Sequence, residues 1–137
     1  MAVESRRMSS ILMLPYDDPN GAYEWLQSAF GFERGEEPYR DEHGVINHGE
    51  LFLGDTCVAL AGPYEPMRTV SPRSIEGQNT AFLYVYVDDV DAHHAHAAAA
   101  GAEVKEAPAD QHYGDRNYRV LDCEGRPWMF GSPIKTS

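Results

Sequence analysis

Basic side chains are scarce in this chain of 137 residues. Eleven Lys and Arg stand against 22 Asp and Glu, a formal charge of −11. A surface of that sign repels phosphate backbones and anionic headgroups, which argues against nucleic-acid and membrane partners and for attraction of cations. Cysteine is scarcer still. Cys57 and Cys123 form no Cys-x-x-Cys pair and no disulfide framework, so the chain suits a reducing compartment and both are expected to be small core residues. No apolar run is long enough to span a bilayer. Residues 1–10 are polar and lack the apolar stretch of a secretion signal, so a cytoplasmic protein is expected. A Gly-x-Ser-x-Gly elbow and a phosphate-cradling glycine loop are also missing, which removes the commonest nucleophile and nucleotide chemistries.

Hydrophobic residues make up 42% of the chain, enough for the core of one domain over residues 1–137. A faint internal repeat runs through it at an offset of about 70 residues. In the first half, residues 11–16 read as an apolar strand. Asp18 follows as a helix N-cap with Pro19 at the first helical position. Ala22, Trp25, Leu26, Ala29 and Phe30 then recur at spacings of three and four, and Gly31 ends the helix. Strands follow over residues 45–53 and 56–61, with Gly54 and Asp55 as a tight turn. In the second half, residues 81–87 form the strand, Asp88 and Asp89 open an alanine-rich helix, and Gly101 ends it. Strand-like runs follow at 119–121 and 128–130. The alignment sets Tyr16 on Tyr86, Asp18 on Asp88 and Gly31 on Gly101. Each half reads as strand, helix, then two or three strands. The expected fold is α+β: two paired βαβββ modules (about 10–63 and 80–133, joined by a linker over about 64–79) forming an open, cleft-bearing, barrel-like sheet. Residues 33–44 are polar and read as a loop with a strand near Tyr39.

The most informative run is residues 82–88, which alternates with the period of a strand. Leu83, Val85 and Val87 form an aliphatic face suited to a covering helix. Phe82, Tyr84, Tyr86 and Asp88 form the other face, suited to a cleft that holds something flat and partly polar.

The order of parts, together with local motifs, resembles the vicinal oxygen chelate superfamily, which includes glyoxalase I, extradiol dioxygenases, fosfomycin-resistance enzymes and bleomycin-resistance proteins. The motifs are Ala-Phe-Gly-Phe at 29–32, Tyr113-Gly-Asp-Arg116, and Asp122-Cys-Glu-Gly-Arg-Pro-Trp128, where Cys123 stands in place of the usual proline. The segment His48-Gly-Glu-Leu-Phe-Leu-Gly-Asp55 is similar to one branch of glyoxalase-like proteins. The resemblance covers about residues 10–133. It implies the fold far more than any one activity, since this fold hosts several chemistries.

In that superfamily's enzymes a divalent metal is held by His and Glu at four slots. Carried over, the slots fall on Ile11, Ala59, Phe82 and Met129, none of which can bind a hard ion. No metal, no cofactor and no catalytic residue are therefore expected. His48 and Glu50, two apart on a strand, share a face and are the alternative chelating pair. His93, His94 and His96 are expected on a solvated helix face. The resemblance implies an aromatic cleft whose ligand-binding residues are Phe82, Tyr84, Tyr86, Trp128, Met129, Tyr113, Tyr118, Arg116, His48 and Glu50, with Asp88 and His112 as further rim candidates. Trp128 is read as facing the cleft; the opposite register would turn it to the helices and present Met129. The expected function is metal-independent sequestration of an aromatic, and given the acidic surround cationic, natural product or antibiotic, by a homodimer whose clefts combine halves of both chains. The alternative is a metal-dependent glyoxalase-like lyase, isomerase or dioxygenase with its ion displaced to His48 and Glu50.

Overall fold

The computed structural model describes residues 9–134; residues 1–8, most of the polar N-terminal stretch, and 135–137 lie outside the described residues. The first unit is β1 (Leu12–Pro15), α1 (Pro19–Phe30), β2 (Glu33–Arg34), β3 (Tyr39–Arg40), β4 (Ile46–Leu53) and β5 (Thr56–Ala61). A connector with two 3-10 turns (Glu65–Met67 and Pro72–Ile75) leads to the second unit. That unit is β6 (Leu83–Tyr86), α2 (Val90–Ala99), β7 (Glu103–Asp110), β8 (Asp115–Leu121) and β9 (Pro127–Pro133).

Both helices begin as the sequence dictates. The Asp18 carboxylate accepts from the Gly21 N–H at 3.0 Å, with Pro19 in the first turn, and Gly31 (φ 80°) closes α1. The Asp89 carboxylate accepts from the Ala92 N–H at 3.1 Å to open α2. The cap of α2 is thus the second aspartate of the Asp88–Asp89 pair.

Each unit folds its first strand parallel to its last, giving sheet orders β1-β5-β4-β2 (with β3 also on β4) and β6-β9-β8-β7. β2 and β3 pair successive stretches of β4, so they are two pieces of one edge strand, interrupted where Pro38 has no N–H to donate. The α+β architecture of paired units is as expected, and the sheets are not closed into a barrel. β7 went unread because it is an edge strand with one core-facing aliphatic residue, Val104, a proline and two register shifts, so it carries no clean alternation.

One hydrophobic core joins the units. Leu14, Tyr16, Leu26 and Phe30 of the first pack with Val85, Tyr118, Trp128 and Phe130 of the second. The Phe30 ring lies 5.4 Å from Trp128 and 4.9 Å from Phe130, edge to face. The turn after β8 adds a polar clamp. The Tyr16 hydroxyl and the Trp128 Nε1–H both donate to Asp122 Oδ2, at 2.6 and 3.0 Å. Glu124 accepts the backbone N–H groups of Asp17 and Asp18, at 2.7 and 2.8 Å, and the Ser71 hydroxyl.

Several sequence expectations change here. Trp128 is fully buried on the helix side of its sheet, so it is core and not cleft; the register that presents Met129 is the one adopted. Tyr118 is buried on the same side. Arg116 also turns toward the helix side, where Asp91 of α2 and Asp110 of β7 hold its guanidinium at 3.1–3.2 Å. Of the histidines of α2, His96 stays exposed as expected, whereas His93 is partly buried between the helices. His93 Nε2 donates to the Phe30 carbonyl (2.8 Å) while Nδ1 meets the Tyr118 hydroxyl (2.7 Å), and His96 Nε2 donates to the Ser28 carbonyl (2.7 Å). They satisfy carbonyls left open at the end of α1. Cys57 is buried as expected, but Cys123 is exposed on its turn. The aligned pair Tyr16 and Tyr86 also points opposite ways: Tyr16 is buried in the core, whereas Tyr86 is exposed. The ladders Leu14↔Leu60 and Val85↔Phe130 show that the first strands repeat at 71 rather than 70, and a slip of one residue reverses every side chain.

Candidate functional site

The face of β6 away from the helices carries the aromatic set. Val85 packs inward, so Tyr84 and Tyr86 project from the opposite side, with rings 5.2 Å apart. Their strand lies beside β9, which lies beside β8, with Tyr84↔Met129 and Tyr86↔Gly131 across one ladder and Asn117↔Gly131 across the next. The tyrosines reach across β9 to β8. Both hydroxyls donate to Asp115 Oδ2, Tyr84 at 2.6 Å and Tyr86 at 2.7 Å. Asn117 Nδ2 donates to the Tyr84 hydroxyl (2.9 Å) and to Tyr113 (2.7 Å), from the turn before β8. Three phenols therefore converge on one carboxylate and one amide.

Gly131 makes the crossing possible. A Cβ there would stand 2.8 Å from the Tyr84 hydroxyl and 3.1 Å from Asn117 Cβ. The Asn117 side chain is almost fully buried beneath the rings, while Tyr84, Tyr86 and Tyr113 keep 37%, 60% and 51% of their surface exposed. Burial and the adjacent Asp115 raise the Tyr84 hydroxyl above the ordinary phenol range, and Asp115 raises Tyr86 likewise. The two phenol donors in turn lower the Asp115 carboxyl below its ordinary value. The arrangement is an exposed aromatic platform, its Tyr84 and Tyr86 rings tilted by 38°, whose polar atoms are positioned before anything binds.

The remaining candidates fall elsewhere. Phe82 shares the strand face but stands at the seam between units, where it lines a hollow of about 390 Å³ with Met13, Val70, Ile75 and Thr80. Met129 lies under the platform, mostly covered. His112 packs edge to face on Tyr113, ring centroids 5.2 Å apart. His48 and Glu50 do meet, at 2.9 Å, but on β4 of the other sheet. Asp88 and Arg116 line a separate hollow of about 370 Å³ at the start of α2. A larger hollow of about 490 Å³, lined by Met13, Ala59, Ala61, Pro63, Tyr64 and Met67, lies on the matching face of the first unit. Asp115, Asn117 and Gly131 were missed. Asp115 and Asn117 are two apart and so share a strand face, which is the signal that could have found them.

The four slots at which the resemblance would put metal ligands hold Ile11, Ala59, Phe82 and Met129, with no N or O donor. Among the described residues no group of three or more His, Cys, Asp or Glu could hold an ion, and His48 with Glu50 supplies two donors. These residues do not fit a hard divalent metal. Among the described residues no helix is long and apolar enough to cross a membrane.

Comparison with known proteins adds three findings. The family described as Glyoxalase/Bleomycin resistance protein/Dioxygenase superfamily matches residues 9–130. An uncharacterized protein of Mycobacterium bovis is 32% identical over 126 residues, 89% of this chain and 81% of its own. Among solved structures, TioX from Micromonospora sp. ML1 is 33% identical with a TM-score of 0.71, covering 93% of this chain and 98% of that one. TnmS3, an antibiotic binding protein from Streptomyces sp. CB03234, is 20% identical with a TM-score of 0.72, covering 95% and 98%; at that identity it shows the fold alone.

Proposed function

Since this chain belongs to the glyoxalase/bleomycin resistance protein/dioxygenase superfamily, we propose that it binds and sequesters a flat aromatic small molecule, such as an antibiotic or other natural product, without a catalytic metal and without turnover. The observation that carries this reading is the exposed Tyr84, Tyr86 and Tyr113 platform, hydrogen-bonded in advance to Asp115 and Asn117. Exposed aromatic rings held in place cost little entropy to bind and offer stacking surface. The antibiotic-binding neighbour supports the reading by showing that this fold serves such a role. In this proposal residues 1–137 act as one cytoplasmic domain and associate as a two-fold homodimer. The platform of one protomer then faces the apolar hollow around Met13 and Ala59 of its partner. Open single-unit faces of this kind are what such an arrangement would close.

Calorimetric titration with a panel of planar natural products tests the proposal. Saturable binding at one ligand per protomer is expected, lost when Tyr84 and Tyr86 are both replaced by Ala. Absence of binding across the panel, or one transition ion per chain in protein purified without chelators and lost with His48→Ala, would overturn it in favour of an enzyme.

A further inference from the structure

The platform's hydrogen-bonding capacity is unevenly used. Asp115 Oδ2 accepts from both Tyr84 and Tyr86, whereas Oδ1 accepts no side-chain donor among the described residues. Nor does Asp115 enter any ion pair among them. The neighbouring cation, Arg116, is committed on the other side of the sheet to Asp91 and Asp110. The Tyr84 hydroxyl already donates to Asp115 and accepts from Asn117. The Tyr113 hydroxyl only accepts, from Asn117, so its own hydrogen remains available. A carboxylate oxygen of a partly buried residue beside the rings, with no counter-ion among the described residues, has acceptor capacity that a ligand can use.

We propose that Asp115 is the specificity-determining residue of this face: it selects ligands whose approaching edge donates hydrogen, of the amidinium or amide N–H class, and it rejects carboxylates. The Tyr113 hydroxyl supplies a donor for an acceptor atom beside that edge. This rests on the ligand-binding reading of the same face. An aspartate is ionised at neutral pH, and the two phenol donors lower the Asp115 carboxyl further, so the charge persists into mildly acidic solution.

The test uses the full chain and three probes of one ring size: benzamidine, benzamide and benzoate. Binding is read from the aromatic NMR signals of Tyr84, Tyr86 and Tyr113. Benzamidine should bind at least about tenfold tighter than benzoate at low salt, and raising the ionic strength to physiological levels should narrow that gap. Asp115→Asn, whose amide oxygen can still accept from the phenols, should reduce the gap to under about twofold. Tyr113→Phe should weaken benzamide about threefold and leave benzamidine within about twofold. The selection is overturned if benzoate binds as well as benzamidine, or if Asp115→Asn or added salt leaves the gap unchanged. Equal binding of all three probes defeats the selection but leaves the ligand-binding reading standing. No change in the tyrosine signals with any probe defeats both.

Discussion

Glu124→Gln removes one oxygen from a carboxylate that is 1% exposed. Oε1 accepts the Asp17 N–H and the Ser71 hydroxyl, at 2.7 and 2.5 Å; Oε2 accepts the Asp18 N–H at 2.8 Å and lies 3.4 Å from Arg73 Nη2. Whichever way the Gln amide turns, its NH₂ confronts a backbone N–H and a second donor. One buried N–H left without an acceptor costs about 1–3 kcal/mol. The Arg73 pair is half exposed on the arginine side, so its loss adds less than about 1 kcal/mol. The sum is about 1–4 kcal/mol. For a domain of this size, at roughly 4 °C per kcal/mol, the melting temperature falls by roughly 4–16 °C. Thermal and urea melts against the parent measure this, with Glu103→Gln as control, because that carboxylate meets Lys105 at the surface and should shift stability by less than about 0.5 kcal/mol. A Glu124→Gln melt within about 2 °C of the parent would refute the idea that the β8–β9 turn clamps the two units.

Trp128→Ala should cost about 3–5 kcal/mol in urea unfolding, as expected of a core aromatic, whereas Tyr86→Ala should stay within about 0.5 kcal/mol yet lose ligand binding in the same calorimetric titration. Gly131→Ala should keep the fold at a cost of about 1–3 kcal/mol while displacing the Tyr84 hydroxyl, visible as a changed Tyr84 ring signal and weakened binding. Burial lowers the His93 pKa in the folded chain. Above the ordinary imidazole value of about 6.5 the residue is neutral in both states. As pH falls below that value the unfolded chain takes the proton first, so stability drops until the folded chain is protonated too. His93→Gln should flatten that part of a stability–pH curve measured between pH 7.5 and about 5; an unchanged slope would mean that His93 does not titrate between the helices as described.

Much of this architecture could be read from local signals. Asp18, Pro19 and Gly31 bound α1 because caps and punctuation act over a single turn. The alternation of residues 83–86 placed Tyr84 and Tyr86 opposite Val85 because side-chain direction on one strand needs no partner. Trp128 was misjudged for a related reason. In Trp128-Met129-Phe130 every residue is apolar, so alternation offers no contrast between faces, and the choice fell to packing against Phe30 and Phe32. His93 was misjudged because a carbonyl at the end of another helix leaves no trace in its own neighbourhood.

The amino-acid order alone determined two repeated strand–helix–strand units, their helix limits, the acidic balance and the empty donor slots, since each depends on residues close in the chain or on composition. The three-dimensional fold decided which side of each sheet meets the helices. It also decided that β6, β9 and β8 lie adjacent, so that phenols from residues 84, 86 and 113 find Asp115 and Asn117 across Gly131. Such a gathering depends on strand register, and register is set by the packing of distant side chains and not by any local pattern.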